Sequence, residues 1–223
     1  MSKKPGVRRG FMVTAVLAVA ATPALFLAPL SEAEPTKDSE ESWYLDAMKA
    51  VEAQEWSTGE GVTVAVIDTG VDAAHPDLEG RVLEGATVTE DGVEPGAAGD
   101  PDGHGTAMAG LIAGENDDGE LTGVAPDSEI LPVRIERRED GSLDQNLVYE
   151  GVRWAIDEGA TVINLSLAGK PTADDDGWKR DLISYAVDNN AVIVAAVGNR
   201  TDFESEVGEP ASIPGVLAVS GMG

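Results

Sequence analysis

Five segments rich in apolar residues, at 62–67, 129–135, 161–167, 191–197 and 215–220, read as strands, and that at 62–67 is a continuous, mostly β-branched run. Runs of that length and character suit strands of a parallel sheet, which are buried on both faces. Between them the pattern changes period. Residues 43–56 place Leu45, Met48 and Val51 at three-residue steps, which predicts an amphipathic helix ended by Ser57-Thr-Gly-Glu-Gly61. Residues 104–113 begin a second helix whose small side chains permit close packing. Ser142 and Gln145 have capping-box spacing; the helix after them carries Val148, Val152, Ala155 and Ile156 on one face and stops at Gly159. A further helix over 178–189 turns Leu182, Ile183, Ala186 and Val187 inward. Residues 85–103, rich in Gly, Pro and Asp, are expected to hold no regular structure.

Strands alternating with helices of this length predict an α/β fold, a three-layer, doubly wound and mostly parallel sheet. In such sheets the reactive groups collect at the carboxyl ends of the strands. Asp68 and Asn199 each follow an apolar run directly, so both are expected on one rim.

Composition narrows the function. The 223 residues have room for one domain, and 42% apolar residues supply a core. The absence of cysteine excludes disulfides, thiolate metal sites and a cysteine nucleophile. The net charge of −26 makes nucleic acid and anionic lipid poor partners and suits a solvated surface in salty or extracellular surroundings. Lys3, Lys4, Arg8 and Arg9 precede the apolar stretch 11–30, and Ser31-Glu-Ala33 offers a small-x-small cleavage site. Residues 1–33 therefore read as an export signal peptide, 34–42 as a polar linker and 43–223 as the domain. An uncleaved signal anchor is the other reading of the same stretch; either places the domain outside the cytoplasm, secreted or at the cell envelope.

Two motifs carry the chemistry. Val64-Ala-Val-Ile-Asp68-Thr-Gly70 is a strand ending on a carboxylate. Asp102-Gly-His104-Gly-Thr-Ala-Met-Ala-Gly110 is a turn leading into a helix. Taken singly, Asp68 reads equally well as a loop-capping aspartate, and a lone histidine is commonly structural. In this order the pair resembles the Asp and His motifs of the subtilisin-like serine proteases, the subtilases, over residues 43–223. The resemblance implies that Asp68 orients a general base, that His104 is that base, and that Asn199 in Ala-Ala-Val-Gly-Asn donates to the oxyanion. It makes Ser166-Leu167-Ala168-Gly169 the wall of the primary specificity pocket, with Ala168 where the family has glycine. It makes Gly141 and Ser142 part of an edge segment that pairs with an extended protein or peptide substrate. His75 reads as structural. No cofactor and no metal is implied. Asp174-Asp-Asp176 lacks the spaced ligands of a calcium loop.

The family's nucleophile sits in Gly-Thr-Ser-Met-Ala beyond the strand matching 216–220. Gly105-Thr-Ala-Met-Ala109 is a near copy with Ala107 at the serine position, and it belongs to the His motif. Ser166, Ser212 and Ser220 stand in no nucleophile-elbow pattern. The expectation is a domain lacking its C-terminal part, inactive without a further segment carrying the serine; an inactive peptide-binding remnant is the alternative. Trp43-Tyr-Leu-Asp-Ala-Met48, Ser57-Thr-Gly-Glu-Gly61 and the His block further resemble the mycosins, which would make type VII secretion components its partners. A nucleotide-binding domain is disfavoured, because Thr69-Gly-Val-Asp72 does not supply a Gly-x-Gly-x-x-Gly turn.

Overall fold

A six-residue strand, Thr63–Asp68, occupies the middle of a seven-stranded sheet in which five of its residues are buried. The computed structural model describes residues 43–96, 99–115, 123–138, 141–170, 177–199 and 206–221. The chain divides into two units, Met1–Glu41 and Ser42–Gly223, and every described residue belongs to the second. The signal and linker expected at residues 1–42, and Asp174-Asp-Asp176, lie outside the described residues.

In chain order the elements are α1 (Trp43–Met48), α2 (Ala50–Gln54), β1 (Thr63–Asp68), β2 (Ala86–Thr89), β3 (Gly92–Pro95), α3 (His104–Ala113), β4 (Glu129–Ile135), α4 (Gln145–Asp157), β5 (Val162–Leu165), α5 (Trp178–Asp188), β6 (Val192–Ala196) and β7 (Leu217–Val219). The sheet order is β3-β2-β4-β1-β5-β6-β7. All neighbours run parallel except the β2–β3 hairpin. The mostly parallel α/β fold expected from the alternating pattern is the one observed.

The pleat of β1 explains the layers. Side chains alternate between faces along a strand. Val64 and Val66 join Leu78, Ala109, Ala113 and Ile130 in one buried cluster, beneath α3. Ala65 and Ile67 join Val133, Ile135, Val152, Ala155 and Ile156 in the other, beneath α4. A strand buried on both faces has no polar positions to spare, which is why its sequence shows no alternation. β1 lies between β4 and β5, so the chain crosses from one side of the sheet to the other around it. Asp68 closes the carboxyl end of β1, where a doubly wound sheet opens a crevice.

Four local expectations need correction. The segment 85–103 is not wholly irregular, because β2 and β3 form an antiparallel hairpin paired from Ala86–Pro95 to Thr89–Gly92. The first helix breaks at Lys49, which adopts a left-handed backbone with φ of 56°. Among the described side chains of 45–56, only Leu45 before the break and Ala50 after it are buried, and Met48 and Val51 are exposed. The cap of α4 is Asp144, whose carboxylate accepts from Asn146 N–H at 2.9 Å, rather than Ser142. Val187 at the end of α5 faces outward, 67% exposed.

Candidate active site

Two apolar elements bring the site together. β1 delivers Asp68 at its last residue and α3 begins at His104, and a glycine pair lets them meet. Gly103 caps α3 with φ of 87°, a left-handed conformation that side chains disfavour. At Gly105 a Cβ would stand 2.0 Å from the carbonyl oxygen of Gly70 and 3.2 Å from Cβ of Asp68. The start of α3 therefore rests directly on the loop that follows β1, and only glycine fits there.

That approach sets the central contact. His104 Nδ1 lies 2.9 Å from both carboxylate oxygens of Asp68. The Asp68 side chain is 3% exposed and that of His104 is 46% exposed. A buried carboxylate needs donors, and Asp68 also takes the Thr69 N–H at 2.7 Å. An ionised carboxylate accepts only, so Nδ1 carries the imidazole proton and Nε2 is left with its lone pair. The arrangement presents a half-exposed base held in one tautomer by a buried anion.

A second carboxylate ties the two motifs together. Asp100 accepts from Thr69 Oγ1 at 2.7 Å through one oxygen, and from Thr106 N–H and Thr106 Oγ1, both at 2.8 Å, through the other. Thr69 Oγ1 in turn accepts from Gly105 N–H at 3.0 Å. One residue thus holds the loop beside Asp68 and the first turn beside His104. Burial pushes the Asp100 carboxyl up, but the Thr69 hydroxyl, the Thr106 amide and hydroxyl and the Gly103 amide outweigh it and hold the pKa at about 2. Sequence reasoning passed over Asp100, Thr69 and Thr106. Their signal was an aspartate shortly before a helix start that carries Thr106, the pattern of a side chain satisfying free helix N–H groups.

Around this pair lies a cleft of about 240 Å³ lined by Asp68, Asp102, His104, Arg137, Leu143, Ser166, Leu167 and Ala168. Beside it is a larger cavity of about 710 Å³, with Gly141 and Ser142 on one wall and Leu167, Ala168 and Gly169 on another. Arg137, Leu143, Leu167 and Ala168 line both, so the two form a continuous groove. The expected edge and wall segments therefore face one another. Asn199 follows β6 and is exposed. It shares the strand-end rim with Asp68, and is not among the described residues lining the cleft. His75 caps the short turn Pro76–Leu78 by accepting the Asp77 N–H, and takes no part in the groove.

Comparison with known proteins agrees with this geometry. Residues 59–223 match the sequence model of the subtilase family, Peptidase S8. The chain is 32% identical over 185 residues to the major intracellular serine protease of Bacillus subtilis (strain 168), spanning 79% of this chain and 57% of that protein. To subtilisin E of the same organism it is 36% identical over 167 residues, 74% of this chain and 42% of the relative. Among solved structures, that of fervidolysin from Fervidobacterium pennivorans, a keratinolytic enzyme related to subtilisin, superposes with a TM-score of 0.66 at 34% identity, over 82% of this chain and 28% of that one. The chain spans roughly a quarter to three fifths of the length of these relatives.

Proposed function

The chain belongs to the subtilase family of serine proteases, and from that footing we propose that it forms the Asp–His part of a subtilisin-like serine endopeptidase. The observation that carries the proposal is the buried Asp68 carboxylate 2.9 Å from His104 Nδ1 at the end of the central strand. In this reading His104 Nε2 takes the proton of an attacking serine hydroxyl and later gives it to the leaving amine. Asp68 stabilises the imidazolium formed in between and does not itself take up the proton. Asn199 donates its amide N–H to the tetrahedral oxyanion. The substrate peptide lies extended between Gly141–Ser142 and 166–169, adding a strand to the rim. The serine is supplied by a further segment, in the same polypeptide or a second one. We further propose that the enzyme is exported by residues 1–33, acts outside the cytoplasm and is of the mycosin kind, on the strength of the opening Trp43-Tyr-Leu-Asp-Ala-Met48 and the His block.

The test is to label the native protein from its producing cells with a fluorophosphonate probe and measure its intact mass. The expected result is a labelled species heavier than the 23.1 kDa encoded here, or a labelled partner that co-purifies. An unlabelled species that still binds extended peptides would overturn the catalytic assignment and leave a peptide-binding protein. If it neither labels nor binds peptide, the whole reading fails.

A further inference from the structure

The larger cavity of the groove departs in charge from the rest of the molecule. The chain carries a net charge of −26, yet four of its 15 lysines and arginines, Arg137, Arg138, Lys170 and Lys179, line this cavity. Two of the four are answered by carboxylates in the same lining. Arg138 is paired with Asp144, and Lys179 Nζ donates to Glu209 at 2.7 Å in a pair that is almost wholly buried. Among the described residues neither Arg137 nor Lys170 is in an ion pair. Arg137 Nη1 donates to the Gly141 carbonyl oxygen at 3.2 Å, which fixes the guanidinium on the edge segment. It also lines the cleft with Asp68 and His104, so it stands where the two cavities join.

Resting on the protease reading above, we infer that the groove selects extended peptides carrying an acidic side chain directed into the larger cavity, with Arg137 and Lys170 as the cations that receive it. The planar fork of arginine matches a carboxylate, and a charge-assisted hydrogen bond is about twice as strong as a neutral one. Screening makes this a local effect. At physiological ionic strength the Debye length is about 8 Å, so the cavity cations act on a side chain within the groove while the acidic surface farther off is largely damped. A basic side chain in the same place would meet two cations that no carboxylate among the described residues pairs with. An extended strand sends alternate side chains to the same side, so a glutamate moved stepwise along a peptide should help at alternate positions.

The experiment uses fluorescent peptides of one neutral sequence, with Glu, Gln or Lys stepped through each position, titrated onto the intact native protein at low and at physiological salt. The Glu series should bind about tenfold more tightly than the Lys series at one position or at alternate positions, in line with one or two charge-assisted hydrogen bonds. Arg137→Glu combined with Lys170→Glu should reverse that order, so that the Lys series binds more tightly than the Glu series. Equal affinity for the three series with peptide binding intact would overturn the inference alone. A preference that survives the double reversal would overturn the assignment to Arg137 and Lys170. Absence of binding by every peptide would take down the protease reading as well.

Discussion

β1 and β7 are spelled almost alike, Thr-Val-Ala-Val-Ile-Asp and Leu-Ala-Val, and their surroundings are opposite. Ala65, Val66 and Ile67 are fully buried, whereas Leu217 is 55% and Val219 is 48% exposed. β1 has a partner on each side and a helix layer over each face. β7 lies at the end of the sheet order and, among the described residues, pairs with β6 alone. A strand's composition says how much it is able to bury; its place in the sheet decides how much it does bury. The difference bears on the proposed function, because the proposed catalytic groups come from both regions. The carboxylate–imidazole pair grows from the β1 side, where packing fixes it. Asn199 follows β6, one strand from the exposed edge.

The sharpest way to test that contrast is to remove one polar group from each side in the intact enzyme. Asp68→Ala should lower kcat by about 10⁴-fold, because the imidazole loses both its tautomer and its counter-charge. Asn199→Ala should cost about 10²–10³, the range for one oxyanion donor. A burst-resolved kcat for the two variants checks the order, and a larger loss at Asn199 would reverse the ranking of the two sides. The same contrast should appear in stability. In these 223 residues by themselves, Ile67→Ala leaves a cavity in the core and should cost about 2–5 kcal/mol in urea unfolding, while Leu217→Ala at the edge should cost no more than about 0.5 kcal/mol. Comparable losses would mean that Leu217 is packed against another surface in solution.

How much of this was legible in the sequence follows the same division. β1, α3 and the order of strands and helices could be read because runs, periods and capping glycines are local signals. Asp68 and His104 were findable because their two motifs, in this order, resemble those of the subtilases; taken singly, each reads equally well as an ordinary loop or structural residue. The hairpin of β2 and β3 was overlooked because its short strands sit among Gly, Pro and Asp. Glu90-Asp91 form the two-residue turn between them, and the Asp91-Gly92 step at its exit, with φ of 120° at Gly92, was the signal. Met48, Val51 and Val187 have the spacing of a buried face and are exposed. The break at Lys49 re-aims the first two. Arg137 was out of reach. Its position between two cavities depends on how the segment after β4 lies against the wall after β5, and nothing in the spacing of 137 and 166 encodes that.

The smallest effect we expect is also the most specific to the β1 side, and it concerns Asp100. Its folded pKa of about 2 lies below the value of about 3.9 for an unfolded aspartate, so in the acid range the unfolded chain binds the extra proton. Stability from this group is therefore complete above about pH 4 and is lost as the pH falls toward 2. Protonation would place a hydrogen on an atom that receives the hydroxyl of Thr69 or the N–H and hydroxyl of Thr106, which loosens the loop beside Asp68 from the first turn of α3. Asp100→Asn removes the titration. Urea unfolding at pH 4.5, 3.5 and 2.5 should give a shallower fall of stability with acid for the variant than for the parent protein. Parallel curves would mean that the Thr69–Asp100–Thr106 bonds do not join the two motifs in solution. The Asp68–His104 contact would then rest on the packing of α3 against β1 alone.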